Sequence, residues 1–175
     1  DVPLSVDMEA GYSETTEGLI ANAAALREAR AIGCNLEDRL IGSSGLRAVN
    51  EQTDRIGAVN EAGLFVNART DIFLGPLMAG EDPNRPELVD QAIERAQAYA
   101  RADAGSFFVP GLSDPVLIEQ LGGAVNIPVN VMRLEGMVSS AELGELGVAR
   151  ISYGPGPWRA AMAGLGEAAQ NALAG

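Results

Sequence analysis

Short apolar runs recur along this chain at the spacing of strands separated by helices, and that rhythm limits its fold more than any other feature. The runs at 4–8, 34–37, 64–68, 106–109, 129–132 and 149–153 are rich in Val, Ile, Leu and Phe without long strict alternation. Parallel strands covered on both faces read this way. Helix signals fill the gaps. Leu19, Asn22, Ala23, Leu26 and Arg30 recur at helical spacing through an alanine-rich stretch at 21–31. Leu88, Ala92, Ala96 and Tyr99 do the same over 87–102, with Pro86 in the first turn. Asp114 before Pro115 marks another helix start, and Ser139 with Glu142 is spaced as a capping box for 141–146. Gly33, Gly63, Gly105 and Gly147 are expected to close helices in left-handed positions just before the next strand. A last helix is expected over 158–173.

Strand, loop, helix and glycine thus repeat five times, and such units join by right-handed crossovers. An open doubly wound sheet would use the same units. A (β/α)8 barrel is favoured on two grounds. No Gly-x-Gly-x-x-Gly turn follows the first strand, and polar or charged residues end successive strands instead of gathering at one switch point. Six strands are two short of a closed barrel. Together with a strand-like opening, Asp1 to Asp7, that lacks an initiator methionine, the count predicts one barrel domain over 1–175 that is incomplete at its N-terminus.

Charge narrows the partners. Twelve Lys and Arg against 24 Asp and Glu give a net charge of -12, so a nucleic-acid backbone would be repelled and no nucleic-acid partner is expected. A small anion is still admissible wherever a divalent metal or a buried arginine reverses the local potential. The chain contains no histidine. Histidine general bases, a Ser-His-Asp triad and histidine-ligated zinc are therefore excluded. Cys34 sits in an apolar run and reads as a buried, inert thiol. No apolar run reaches the roughly 18 residues of a membrane span, so no membrane partner and a cytoplasmic location are expected.

The candidate site lies at the strand ends. Asp7 and Glu9 are two apart at the end of the first strand, so a period of two would put both on one face, with Gly11 and Tyr12 turning the chain away. Glu37 and Asp38 end the second strand, where only Glu37 should share the inward direction. Asn67, Arg69 and Asp71 form a third same-face series, Asn130 lies in the fifth strand, and Tyr153-Gly154-Pro155-Gly156 closes the sixth. Converging carboxylates repel one another unless a hard cation such as Mg²⁺ or Mn²⁺ joins them. Arg69 could grip a substrate carboxylate or phosphonate bidentately. Plainer readings stay open: solvated loop acids at Asp7 and Glu9, a cap at Glu37-Asp38, an Arg69–Asp71 pair, and an ordinary turn at 153–156.

These residues resemble the isocitrate lyase and phosphoenolpyruvate mutase superfamily along essentially the whole chain. The segments Val6-Asp7-Met8-Glu9-Ala10-Gly11-Tyr12, Asn35-Leu36-Glu37-Asp38, Asn67-Ala68-Arg69-Thr70-Asp71 and Arg150-Ile151-Ser152-Tyr153-Gly154-Pro155 carry the resemblance. It implies a TIM barrel of the phosphoenolpyruvate/pyruvate type, with Mg²⁺ held by Asp7, mostly through water, and by Glu9 and Glu37. It also implies catalytic Glu37 and Arg69, a substrate held by Arg69 and Asn130 beside Gly11 and Tyr12, and a homo-oligomer that exchanges its last helix. The loop after Glu37 reads Arg39-Leu40-Ile41-Gly42-Ser43-Ser44-Gly45-Leu46, without the Lys-x-Cys-Gly-His segment of the lyases or the Lys and Asn of the mutase-like members. Its glycines and serines at 42–45 suit a closing lid. The implied activity is cleavage of a C–C bond in a small 2-oxo or 2-hydroxy (di)carboxylic acid by a Mg²⁺-dependent lyase or decarboxylase, through an enolate-like intermediate. C–P cleavage or phosphonate mutation, and a non-catalytic acid-binding relative, are the alternatives.

Overall fold

Six strands lie side by side in chain order: β1 (Ser5–Asp7), β2 (Gly33–Glu37), β3 (Phe65–Arg69), β4 (Ser106–Val109), β5 (Val129–Met132) and β6 (Val148–Ser152). This is the arrangement in a computed structural model that describes residues 2–43 and 45–174. Asp1 and Ser44, assigned above to the opening segment and the lid, lie outside the described residues. Every neighbouring pair is parallel. β1 and β6 are the two edges, so the sheet is a half-barrel flanked by helices, as the recurrence of strand and helix predicts. The six strands fall within a residue or two of their expected positions.

The helices are α1 (Thr16–Glu28), α2 (Val49–Glu61), α3 (Leu74–Ala79), α4 (Pro86–Arg101), α5 (Pro115–Ala124), α6 (Ser140–Glu145) and α7 (Gly156–Ala174). Their caps follow the sequence. Asp114 accepts from the amides of Val116 and Leu117, Pro86 opens α4, and Ser139 and Glu142 form the reciprocal capping box. α1 begins at Thr16, three residues before the first periodic residue, Leu19, because the Thr15 hydroxyl caps the amide of Gly18. α3 had no sequence signal. Among the described residues, no helix is long and apolar enough to cross a membrane.

Two of the four glycine caps are corrected. Gly63 (φ 87) and Gly147 (φ 89) are left-handed as expected, but at the other two sites Arg30 (φ 65) and Asp103 (φ 60) take that conformation. Gly33 and Gly105 answer a different need, which is room for Phe65. A Cβ at Gly33 would lie 2.8 Å from the Phe65 carbonyl oxygen, and one at Gly105 would lie 2.2 Å from its ring.

The helices cover one face of the sheet. Cys34, Leu36, Val66, Ala68, Phe107, Val109, Val129 and Val131 point that way and are buried against Leu19, Ile56, Val59, Val89, Ile118 and Leu121. Burial pushes the Cys34 thiol up to about 12, so it is inert, as its apolar setting suggests. The other face carries the polar residues of alternate strand positions. α7 differs from every other helix, since its residues through Ala174 are exposed, including Trp158, Met162 and Leu165.

Candidate active site at the carboxyl ends of the strands

Parallel register stacks the uncovered face in layers. Asp7, Asn35, Asn67 and Ser106 are register partners across β1 to β4. Ser106 Oγ donates to Asn67 Oδ1 at 2.6 Å, and Asn67 Nδ2 donates to Asn35 Oδ1 at 2.7 Å. One step towards the carboxyl ends, Glu37, Arg69, Phe108 and Asn130 form the next layer.

Arg69 is the centre of that layer. Its Nε meets Asp71 Oδ1 at 2.6 Å and its Nη2 meets Asp71 Oδ2 at 3.1 Å, a bidentate pair. Nη2 also lies 2.9 Å from Glu37 Oε2. Nη1 is left with Asp7 Oδ2 at 3.9 Å. Burial alone would lower the Arg69 pKa, yet Asp71, then Glu37 and Asp7, leave it raised, so the guanidinium is permanently charged. The plainer reading of Arg69 as a partner of Asp71 is thus met, and the same guanidinium also lies beside Glu37 and Asp7.

Glu37 is 7% exposed, and its carboxyl is raised to about 7. Burial is the main cause. Arg69 opposes it, while the negative fields of Asp71, Asp7 and Glu9 add to it. Asp38 turns the opposite way, as alternation predicts, and is fully buried.

Glu9 departs from expectation. β1 ends at Asp7, and Glu9 occupies a turn with φ 48, so the period of two does not carry from Asp7 to Glu9. The chain rejoins the ladder only through its backbone, the Glu9 carbonyl accepting from the Glu37 amide at 2.9 Å. Glu9 still faces the site: with Ala10, Glu37, Arg39, Leu40, Ile41, Gly42 and Ser43 it lines a cavity of about 450 Å³. The segments on either side of Ser44 pair beside this cavity, the Leu40 amide donating to the Gly45 carbonyl at 2.9 Å and Arg39 bridging Leu46 in antiparallel fashion.

Gly11 is buried beneath the loop (φ 86), where a Cβ would come within 2.4 Å of Leu19, and its carbonyl accepts from Asn22. Tyr12 is exposed at the rim, and its phenol is raised by burial and by the negative charge of Glu9, Asp7 and Glu37. Asn130 is fully buried with Oδ1 unpartnered, and its Nδ2 reaches Ser152 Oγ only at 3.4 Å. Tyr153 starts a turn in which Gly154 has φ 52.

Sequence reasoning missed two supports. Arg55, on α2, is buried and donates to the carbonyls of Ala10 (2.6 Å) and Ser13 (2.9 Å), which pins the loop after Asp7. Nothing in its own segment indicates this. Asn35 could have been found, since it stands two before Glu37 as Asn67 stands two before Arg69.

Among the described residues, no three of His, Cys, Asp and Glu are grouped closely enough to hold an ion directly. The acidic oxygens nevertheless fit Mg²⁺ in its usual mode, with one or two carboxylates and several retained waters. Asp7 is free to do this, since its side chain is 55% exposed and the Arg69 Nη1 lies 3.9 Å away, and the exposed Glu9 beside it is in no ion pair among the described residues.

A parallel strand-and-helix sheet with acids and an arginine converging beyond its carboxyl ends defines the class of (β/α)-barrel proteins whose sites lie at that face. Residues 1–173 match the family model described as phosphoenolpyruvate phosphomutase. The chain belongs to this family, within the isocitrate lyase and phosphoenolpyruvate mutase superfamily. It is 33% identical over 171 residues to an uncharacterized protein of Mycobacterium tuberculosis, covering 95% of this chain and 60% of that one. It is 28% identical over 132 residues to the 2-methylisocitrate lyase of Escherichia coli, covering 73% of this chain and 43% of that enzyme. A solved structure of a candidate phosphonomutase from Burkholderia cenocepacia superposes with a TM-score of 0.91 at 43% identity, covering 98% of this chain and 70% of that one. The chain thus spans about 60% of the M. tuberculosis protein's length and less than half of the lyase's.

Proposed function

We propose that the protein is a Mg²⁺-dependent lyase or decarboxylase that cleaves a C–C bond beside the carbonyl or hydroxyl carbon of a small 2-oxo or 2-hydroxy dicarboxylic acid. The observation that carries this reading is the setting of Arg69. Two of its nitrogens are committed to Asp71 and Glu37, which fixes the guanidinium plane, and Nη1 is left for a substrate carboxylate. Asp7 would hold Mg²⁺, with Glu9 and Glu37 joining through water. A Mg²⁺ there would supply Lewis-acid stabilisation of the negative charge that develops on the substrate oxygen.

The chain's own groups account for the rest. Glu37, titrating near 7, can accept or return a proton at neutral pH. Asn130 brings a buried, unpartnered amide oxygen to the same layer and would orient a substrate hydroxyl. Gly11 would let the loop pass close to the substrate, and Tyr12 would contribute its hydroxyl at the rim. The lid residues Leu40 and Ile41 would exclude water over Glu37. The exposed Trp158, Met162 and Leu165 lie at helical spacing on α7 and support a homo-oligomer through that helix.

C–P bond cleavage is the second reading, favoured by the 43% identity to the candidate phosphonomutase. Turnover assays with 2-hydroxy dicarboxylates and with phosphonopyruvate, plus and minus Mg²⁺, separate the two. Metal-dependent 2-oxo acid release that Asp7→Asn abolishes is the expected result. A protein that binds no Mg²⁺, or whose activity survives Asp7→Asn unchanged, would reject both.

A further inference from the structure

Behind Arg69, on the helix-covered face of the sheet, lies a buried polar cluster to which the reaction above gives no role. Asp38 is fully buried, and both of its carboxylate oxygens are occupied. Oδ1 accepts from the backbone amide of Asp71 at 3.0 Å. Oδ2 accepts from Tyr99 Oη at 2.9 Å and from Arg95 Nη1 at 3.1 Å. The same Arg95 nitrogen donates to the Tyr99 hydroxyl at 3.0 Å and to the Arg47 carbonyl at 3.1 Å. The backbone of Asp38 is equally committed, its amide to the Arg69 carbonyl and its carbonyl to the Arg47 amide.

A buried carboxylate costs free energy unless it is paired and hydrogen-bonded. An apolar residue would fill this place in the helix-facing layer, where Leu36 and Ala68 are its neighbours. What Asp38 holds is specific. Its Oδ1 fixes the amide of Asp71, whose side chain grips Arg69 in two places. Its carbonyl, with Arg95, fixes Arg47 at the foot of the lid. Tyr99 is itself held by packing, its ring edge-on to Phe107 with centroids 6.0 Å apart. Burial also keeps its phenol far above the usual range, so it remains a donor.

We infer that Asp38, Tyr99 and Arg95 are positioning residues for substrate binding, acting through Asp71 to hold the Arg69 guanidinium and through Arg47 to hold the lid. The inference rests on the assignment of Arg69 to the substrate carboxylate. It adds that the aim of Arg69 is set from α4, on the face of the sheet opposite the acidic residues that would hold the metal.

Tyr99→Phe is the mildest probe, since it removes one hydroxyl and keeps the packed ring. Mg²⁺ binding and oxalate binding in saturating Mg²⁺ are measured by calorimetry. Loss of one buried hydrogen bond to a charged group should weaken oxalate by roughly tenfold and leave Mg²⁺ affinity unchanged. In an Arg69→Met background, Tyr99→Phe should have no further effect on oxalate, because the residues act in series. Arg95→Lys should retain more oxalate affinity than Arg95→Met. Equal weakening of Mg²⁺ and oxalate, or an undiminished Tyr99→Phe effect in the Arg69→Met background, would reduce the cluster to a general structural role and overturn the inference. If the unaltered protein binds no Mg²⁺ and oxalate, the preceding functional reading fails by itself. Solvent exchange of the Arg69 Nε–H proton, followed by NMR, then decides the positioning claim: faster exchange in Tyr99→Phe sustains it, and unchanged exchange refutes it.

Discussion

The two faces of one sheet divide the work of this molecule. The helix-covered face presents Cys34, Leu36, Val66, Ala68, Phe107, Val109, Val129 and Val131, all essentially inaccessible. The opposite face, one residue along each strand, presents Asp7, Asn35, Glu37, Asn67, Arg69, Ser106 and Asn130. Backbone and ladder are common to both, so side-chain alternation alone separates stability from chemistry. Changes to these apolar residues of the covered face should cost stability and spare ligand binding, whereas changes on the other face should do the reverse; the polar cluster of Asp38, Arg95 and Tyr99 is the exception, because it reaches through the sheet to Asp71 and Arg69.

The largest expected effect is on the covered face. Leu36→Ala should lower unfolding free energy by about 2–5 kcal/mol in a denaturant titration, with affinities for Mg²⁺ and oxalate retained wherever the variant is folded. A loss of binding in the folded variant would show that the faces are not separable.

Next is Glu37, where the division is blurred by a charge buried on the chemical face. Its carboxyl is raised from 4.5 to about 7 in the fold. Below 4.5 it is protonated in both states and contributes no difference. As pH rises from 4.5 to 7 the unfolded chain loses the proton first, so folded stability falls, and above 7 the whole penalty is present. Through this group the metal-free protein should lose on the order of 2–3 kcal/mol between pH 4.5 and 7. Glu37→Gln should flatten that part of the profile. Added Mg²⁺ should oppose the loss, since a metal favours the ionised carboxylate.

Arg55 sharpens the comparison from a third position, because it sits among the helices but serves the site loop. Arg55→Met leaves the Ala10 and Ser13 carbonyls without their donor and should cost about 1–3 kcal/mol. It should also weaken Mg²⁺ binding, through the displaced loop after Asp7. The smallest expected effect is at the rim: Tyr12 is 63% exposed, and Tyr12→Phe should change stability by under about 0.5 kcal/mol.

The separation of faces explains what could be read from the sequence. Glu37, Arg69 and Asp7 were legible because each ends a strand whose apolar neighbours reveal its direction. Glu9 lies beyond the end of β1, where a left-handed residue breaks the period of two that the sequence pattern suggests. The glycines at 33 and 105 stand where helix ends are expected, but their reason is the close approach of Phe65, a tertiary contact that local pattern cannot carry. Alternation alone turns Asp38 away from the site, but its partners Arg95 and Tyr99 stand 57 and 61 residues further on. Helical spacing marked Tyr99 as a core position and gave no hint that its hydroxyl serves a carboxylate.

Calorimetry of oxalate binding in the presence and absence of Mg²⁺, for the protein and for Arg69→Met, tests the central claim most directly. Oxalate should bind only with Mg²⁺ present, and Arg69→Met should weaken it by about a hundredfold, as loss of a charge-assisted contact in a buried site does. Oxalate binding that needs no metal, or that is as tight in Arg69→Met as in the protein itself, would contradict that claim.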